Sequence, residues 1–191
     1  VVARVDLLTA GYVGQRVASS VTLVRDGDAI VIVDPGMVSS REAILGPLRE
    51  LGVDPDSVTD VVFSHHHPDH TINAALFGGA RVHDFWAIYA DDVWTDRRVV
   101  DHPDGWPLSP SVRLLATPGH SDQDISTLVD TADGLVVCTH VWWNEHGPAA
   151  DPRGASPDEL RVSRDRVLAL RPSLVIPGHG AAFVPSGQTP V

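Results

Sequence analysis

Short buried strands alternating with helices predict an α/β chain built as α+β layers. One observation behind this is a series of short apolar runs. Ala29-Ile30-Val31-Ile32-Val33 is continuous, as in a strand covered on both faces. The other is the helical spacing of Ile44, Leu45, Leu48 and Leu51, and the helix start at Ser156-Pro157-Asp158-Glu159, each lying between such runs. The 191 residues, 43% of them hydrophobic, fit one domain over 1–191 with a real core.

The β-rich first quarter has strands at Val5-Asp6-Leu7-Leu8 and Ser20 to Val24, with a turn at Arg25-Asp26-Gly27-Asp28. Ser39 as N-cap and Glu42 three residues on form a capping box for the first helix, which Gly52 ends. Asp60 to Ser64 is a further short strand. Arg81 to Pro110 reads as short β-like pieces with many turn residues. Strands resume at Val112 to Ala116, Ile125 to Val129 and Leu135 to Cys138. A helix from Ser156 to about Leu170 follows, then a last strand at Leu174-Val175-Ile176.

Acidic residues outnumber basic ones by 25 to 14, giving a net charge of −11. That balance repels phosphate backbones and anionic lipid, so neither a nucleic acid nor a membrane is the expected partner. No apolar run approaches the roughly 18–20 residues of a membrane span. One cysteine, Cys138, excludes an internal disulfide framework, and a reducing cytoplasm is the expected setting. Because the chain opens on Val1, a removed leader stays open.

Ten histidines are the departure from ordinary composition, and four groups of them follow strand ends. These are Ser64-His65-His66-His67-Pro68-Asp69-His70, Thr117-Pro118-Gly119-His120, Thr139-His140 and Pro177-Gly178-His179. Residues beyond strand ends in α/β sheets converge on one crevice. Imidazole and carboxylate are donors that zinc prefers. In extended backbone i and i+2 share a side, so His65 and His67 can chelate one ion while His66 points elsewhere. Asp69 and His70, beyond Pro68, can face a second. A single histidine is ordinarily a surface or hydrogen-bonded residue, but this density at one strand end is hard to satisfy without a metal.

The segment Ser64 to His70 resembles the H-x-H-x-D-H motif of the metallo-β-lactamase fold. Three further segments match that family in order: Val33-Asp34-Pro35-Gly36, Thr117 to Ser121, and Val175 to Gly180. The resemblance covers most of the chain. It implies a four-layer αββα sandwich, similar to small single-domain hydrolases of the superfamily, with zinc as one or two ions; iron or manganese stays open. Carried over position by position, His65, His67 and His120 hold the first ion, and Asp69, His70 and His179 the second.

Family members with two ions place a bridging aspartate after the strand that follows the third histidine, and here His140 stands there. A carboxylate spans ions ~3.5–4 Å apart, whereas imidazole offers one lone pair and no charge. One ion, two ions with His140 as terminal ligand, and two ions bridged mainly by hydroxide are the arrangements left; the second is the expectation.

Asp34 is either a carboxylate orienting a ligand imidazole or a turn residue. Asp122 and Asp124 read as solvated loop acids, Cys138 as a small buried hydrophobe, and His83, His102 and His146 as surface or loop residues. Trp142 and Trp143 directly follow His140, and one of them is expected to wall the substrate pocket. No serine or cysteine triad and no glycine-rich phosphate loop is visible. The resemblance implies hydrolysis of an ester, thioester, lactone or related small-molecule bond, with Asp69 orienting the nucleophile. A phosphodiesterase or ribonuclease and an iron oxygenase or redox protein remain alternatives. Oligomeric state is not legible.

Overall fold

The computed structural model describes residues 2–191. Two mixed sheets lie face to face with helices outside them. The first has seven strands in spatial order β1 (Arg4–Thr9), β2 (Val21–Asp26), β3 (Ala29–Val33), β4 (Asp60–Val62), β5 (Arg81–His83), β6 (Ala87–Ala90) and β7 (Val93–Asp96). The second runs β12 (Leu174–Pro177), β11 (Gly134–Thr139), β10 (Ile125–Thr131), β9 (Val112–Ala116) and β8 (Trp106–Ser109). Helices α1 (Glu42–Glu50), the single turn α2 (Pro68–Thr71) and α3 (Pro157–Ala169) complete the set.

Strand alternation creates three apolar layers. Val31 and Val33 of β3 face Val136 and Cys138 of β11 in the core between the sheets. Ile30 and Ile32 point the other way, onto Ile44 and Leu48 of α1. Val137 of β11 likewise packs outward against Leu160 and Val167 of α3. Both faces of β3 are therefore covered, as its uninterrupted apolar run predicts. The order helix, sheet, sheet, helix is the αββα sandwich. Cys138 is buried, and desolvation pushes its thiol up to about 12, which makes it an inert core group.

Three expectations need correction. Helix α1 starts at Glu42 with Arg41 in helical conformation and no side-chain cap, because the Ser40 and Arg41 carbonyls accept the first amides instead. Glu42 pairs with Arg49 rather than closing a box. His83 is fully buried on β5, its Nε2 2.7 Å from Asp60 Oδ1. Asp124 is not a solvated acid: it is 1% exposed and accepts from the Ser121 amide and hydroxyl at 2.8 and 2.7 Å. The cap at Ser156 is present, its Oγ accepting from the Glu159 amide.

The two sheets are tied at the end of β2 by Asp26. Its carboxylate accepts from Ser109 Oγ at 2.6 Å and from the Ser111 amide and hydroxyl at 2.7 and 3.0 Å. Burial disfavours the charge, but these donors outweigh it and hold the carboxyl below its usual value of 3.8. A depressed carboxylate adds stability above the unfolded pKa and loses it as pH falls through the folded one. Asp26→Asn should therefore cost about 1.5–3 kcal/mol at neutral pH. In denaturant titrations at several pH values that cost should shrink below about pH 4.

Candidate metal centre

Strand polarity brings the histidines together. Strands β3 and β4 are parallel, and so are β11 and β12. Strand β9 is antiparallel to β10, which is antiparallel to β11, so β9 runs with β11. All five strands end at the same rim, and Asp34, His65, His120, His140 and His179 each follow one of those ends.

The loops there are held by backbone contacts. The amides of Ser19 and Met37 both donate to the Asp69 carbonyl at 3.1 Å. The His120 loop rests on the start of α3, where the Ser156 amide donates to Gly119 O at 3.0 Å and Ser163 Oγ to Pro118 O at 2.7 Å. His140 lies against Gly178, where a Cβ would collide with the imidazole, so the glycine in Pro177-Gly178-His179 is a requirement of close approach.

Donor atoms group into three sets within 4.8 Å: His65, His67 and His120; Asp69, His70 and His179; and His65, His70 and His140. His67 Nδ1 lies 2.9 Å from His65 Nε2 and 3.0 Å from His120 Nε2. Nitrogens bound at about 2.0–2.1 Å to one tetrahedral ion are about 3.3 Å apart, close to this spacing. Asp69 Oδ2 lies 3.5 Å from His70 Nε2 and 3.7 Å from His179 Nε2. His140 is central: its ring is 4.2 Å from that of His120 and 4.8 Å from that of His70. Its Nε2 is 3.0 Å from His179 Nε2.

The outward nitrogens determine what the inward ones offer. His120 Nδ1 meets Asp151 Oδ2 at 2.7 Å, His70 Nδ1 meets Asp34 Oδ2 at 2.8 Å, and His179 Nδ1 meets the Ala18 carbonyl at 2.9 Å. Carboxylate and carbonyl oxygens only accept, so each Nδ1 carries the proton and each Nε2 presents a lone pair. Two of these lone pairs have a further imidazole nitrogen at 3.0 Å, His67 Nδ1 beside His120 and His140 Nε2 beside His179, while His70 Nε2 and His140 Nδ1 are buried without a partner. Burial drives His65 and His140 well below the usual imidazole range, and the neighbouring imidazoles add to it. Burial also lowers His67, helped by the surrounding imidazoles and by the Arg153 guanidinium. Neutral imidazoles with converging lone pairs are the form a cation takes, so the donor set fits a metal.

The floor of a cavity of about 260 Å³ is formed by His67, Asp69, His120, His140 and His179, and its walls include Val13, Val17, Trp143 and Arg153. Of the two tryptophans expected at a pocket, only Trp143 lines it. Trp142 is a correction: it is fully buried in the layer under α3, with its indole nitrogen donating to the Pro190 carbonyl at 2.7 Å. Asp34 proves to be an orienting carboxylate, and its second oxygen accepts from the Ser64 amide at 2.7 Å. Asp124, 3.9 Å from His65 Nδ1, is raised to about 6 by burial despite the Ser121 donors. His66 does point away, its Nε2 3.1 Å from Asp84.

Asp151 was not legible in the sequence. It lies 31 residues beyond His120 in an irregular loop, with no motif around it. The same carboxylate oxygen that meets His120 also accepts from Trp143 Nε1 at 3.1 Å. Burial opposes its charge, but these hydrogen bonds hold its carboxyl below the usual range.

The pattern describing the metallo-beta-lactamase superfamily matches residues 14–105. Metallo-beta-lactamase domain-containing protein 1 of Xenopus laevis is 34% identical over 172 residues, 86% of this chain and 71% of the relative. The Homo sapiens protein of that name is 38% identical over 164 residues, and the chain spans 59% of it. Among solved structures, a Thermotoga maritima protein provisionally described as a metallo-beta-lactamase superposes with a TM-score of 0.74 at 24% identity, covering 96% of this chain and 99% of that one. An N-acyl homoserine lactone hydrolase with its product at the catalytic metal centre gives 0.66 at 17%, covering 93% and 92%. Among the described residues no helix is long and apolar enough to cross a membrane. On the extent of the Xenopus match, and with converging imidazoles where the motifs require them, the chain belongs to the metallo-β-lactamase superfamily, a family of hydrolases that work with divalent metal ions.

Proposed function

We propose that the protein hydrolyses an ester, thioester or lactone bond of a small molecule, with zinc held as a pair of ions. The inward-facing lone pairs at the floor of the pocket carry this proposal. His65, His67 and His120 would hold one ion, and Asp69, His70 and His179 the other, with His140 coordinating between them. Zinc suits a set of imidazoles and one carboxylate. Bound there, the ions supply Lewis acidity, which ionises water near pH 7 and polarises the bond to be cleaved.

The chain's own groups do the rest. The Asp69 carboxylate, on the pocket floor, accepts a hydrogen bond from the attacking water and aims it. Asp34 and Asp151 fix the tautomer and plane of His70 and His120. Trp143, Val13 and Val17 keep water from the apolar part of the substrate. A net charge of −11 and a cavity of about 260 Å³ favour a small molecule over a nucleic acid or a membrane surface. The proposed setting is the cytoplasm, which a single buried Cys138 suits.

Hydrolysis of 4-nitrophenyl esters, a γ-lactone and an acyl thioester should be abolished by a chelator and restored by zinc. Cleavage of single-stranded RNA alone would transfer the site to phosphodiester chemistry, and an iron absorption spectrum in protein purified without added metal would favour redox chemistry. Without a bridging carboxylate the second ion should bind more weakly than the first. In zinc titration calorimetry, His140→Asp should tighten that second event at least about tenfold; a wild type that already binds two ions with equal tightness contradicts the role given to His140. Asp151→Ala, which leaves His120 without its acceptor, should weaken zinc binding by about 10–100-fold with the fold retained by circular dichroism.

A further inference from the structure

The cations of this chain are unusual: no lysine occurs, and all 14 are arginines. Six form ion pairs with acidic side chains. Four others make side-chain hydrogen bonds. Of the remaining four, Arg153 is the one that lines the metal pocket. Arg16 lies over the Tyr12 ring, 5.8 Å from its centre.

Arg153 is rooted but not neutralised. Its amide donates to Asp151 Oδ1 at 2.8 Å, while Asp151 Oδ2 takes His120 and Trp143. One carboxylate thus fixes a candidate ligand, a pocket wall and the backbone beneath a cation. Both its oxygens are engaged, and among the described residues the guanidinium has no acidic partner. A guanidinium is a planar fork of donors that matches a carboxylate or phosphate group. Within an acidic molecule it is the local feature that draws an anion to this pocket, and its field acts over about a Debye length, ~8 Å at physiological salt.

We infer that Arg153 is a specificity-determining residue that selects substrates bearing an anionic group, carboxylate or phosphate, a few bonds from the bond to be cleaved. The intervening apolar chain lies against Val13, Val17 and Trp143. The substrate is then a small amphipathic acid. This deepens the hydrolase proposal and rests on it for the word substrate, but the anion contact can be measured by binding alone.

The test compares glutarate with valerate, acids of equal length that differ in a second carboxylate, by calorimetry on the zinc-loaded full chain. Either can place one carboxylate on the metal floor, so the preference for glutarate reports the contact at the far end. It should be about tenfold in the wild type, vanish in Arg153→Gln, return in part in Arg153→Lys, and weaken with salt. Arg161→Gln removes one exposed charge on α3 and should keep the preference, which separates a local contact from net charge. 4-Phosphonobutyrate distinguishes the source: tighter binding than glutarate assigns the subsite to phosphate, weaker binding to carboxylate. No preference in the wild type, or a preference that survives Arg153→Gln, overturns the inference. Hydrolysis of mono(4-nitrophenyl) glutarate and 4-nitrophenyl valerate is read separately. If neither is cleaved while the binding preference follows Arg153, the hydrolase proposal is in doubt and the anion subsite stands.

Discussion

The proton on the far nitrogen of each imidazole is the constraint from which the site follows. Asp34, Asp151 and the Ala18 carbonyl can only accept, so they hold Nδ1–H of His70, His120 and His179 and turn the opposite lone pairs inward. Lone pairs turned into a buried cluster with no donor or cation to meet them would be costly, as at His70 Nε2 and His140 Nδ1. The fold nonetheless assembles them from four loops, each anchored by backbone hydrogen bonds, a glycine contact or helix α3. An arrangement so over-determined is a device for a cation, and the pocket above it is where its chemistry would act.

How much of this the sequence carries depends on whether a residue's role is local or distant. His65, His67, Asp69 and His70 lie within one short segment, so spacing alone tells which side chains share a side. The remaining imidazoles were legible because each follows an apolar run, and strand polarity puts those ends at one rim. The three apolar layers were likewise legible, since alternation in β3 and β11 states which side chains face which neighbour.

Long-range partners were not legible. Asp151 reaches His120 from 31 residues away, beyond β10 and β11, and the Ala18 carbonyl has no side-chain signature at all. Local rules also failed where tertiary contacts took over. The box at Ser39 gave way to backbone carbonyls, Asp124 folded under its own loop, and Trp142 sank beneath α3 while its neighbour Trp143 stayed at the pocket. His83 looked like a loop residue because its acceptor, Asp60, sits on the adjacent strand rather than nearby in sequence.

The central claim is that imidazoles from separate strand ends enclose a cation. Anomalous diffraction at the zinc edge, on crystals of protein supplied with zinc, measures this directly. A peak enclosed by His65, His67 and His120, with a weaker one beside Asp69, His70 and His179, is the result expected. Density elsewhere on the surface, or none at this rim, would contradict the account.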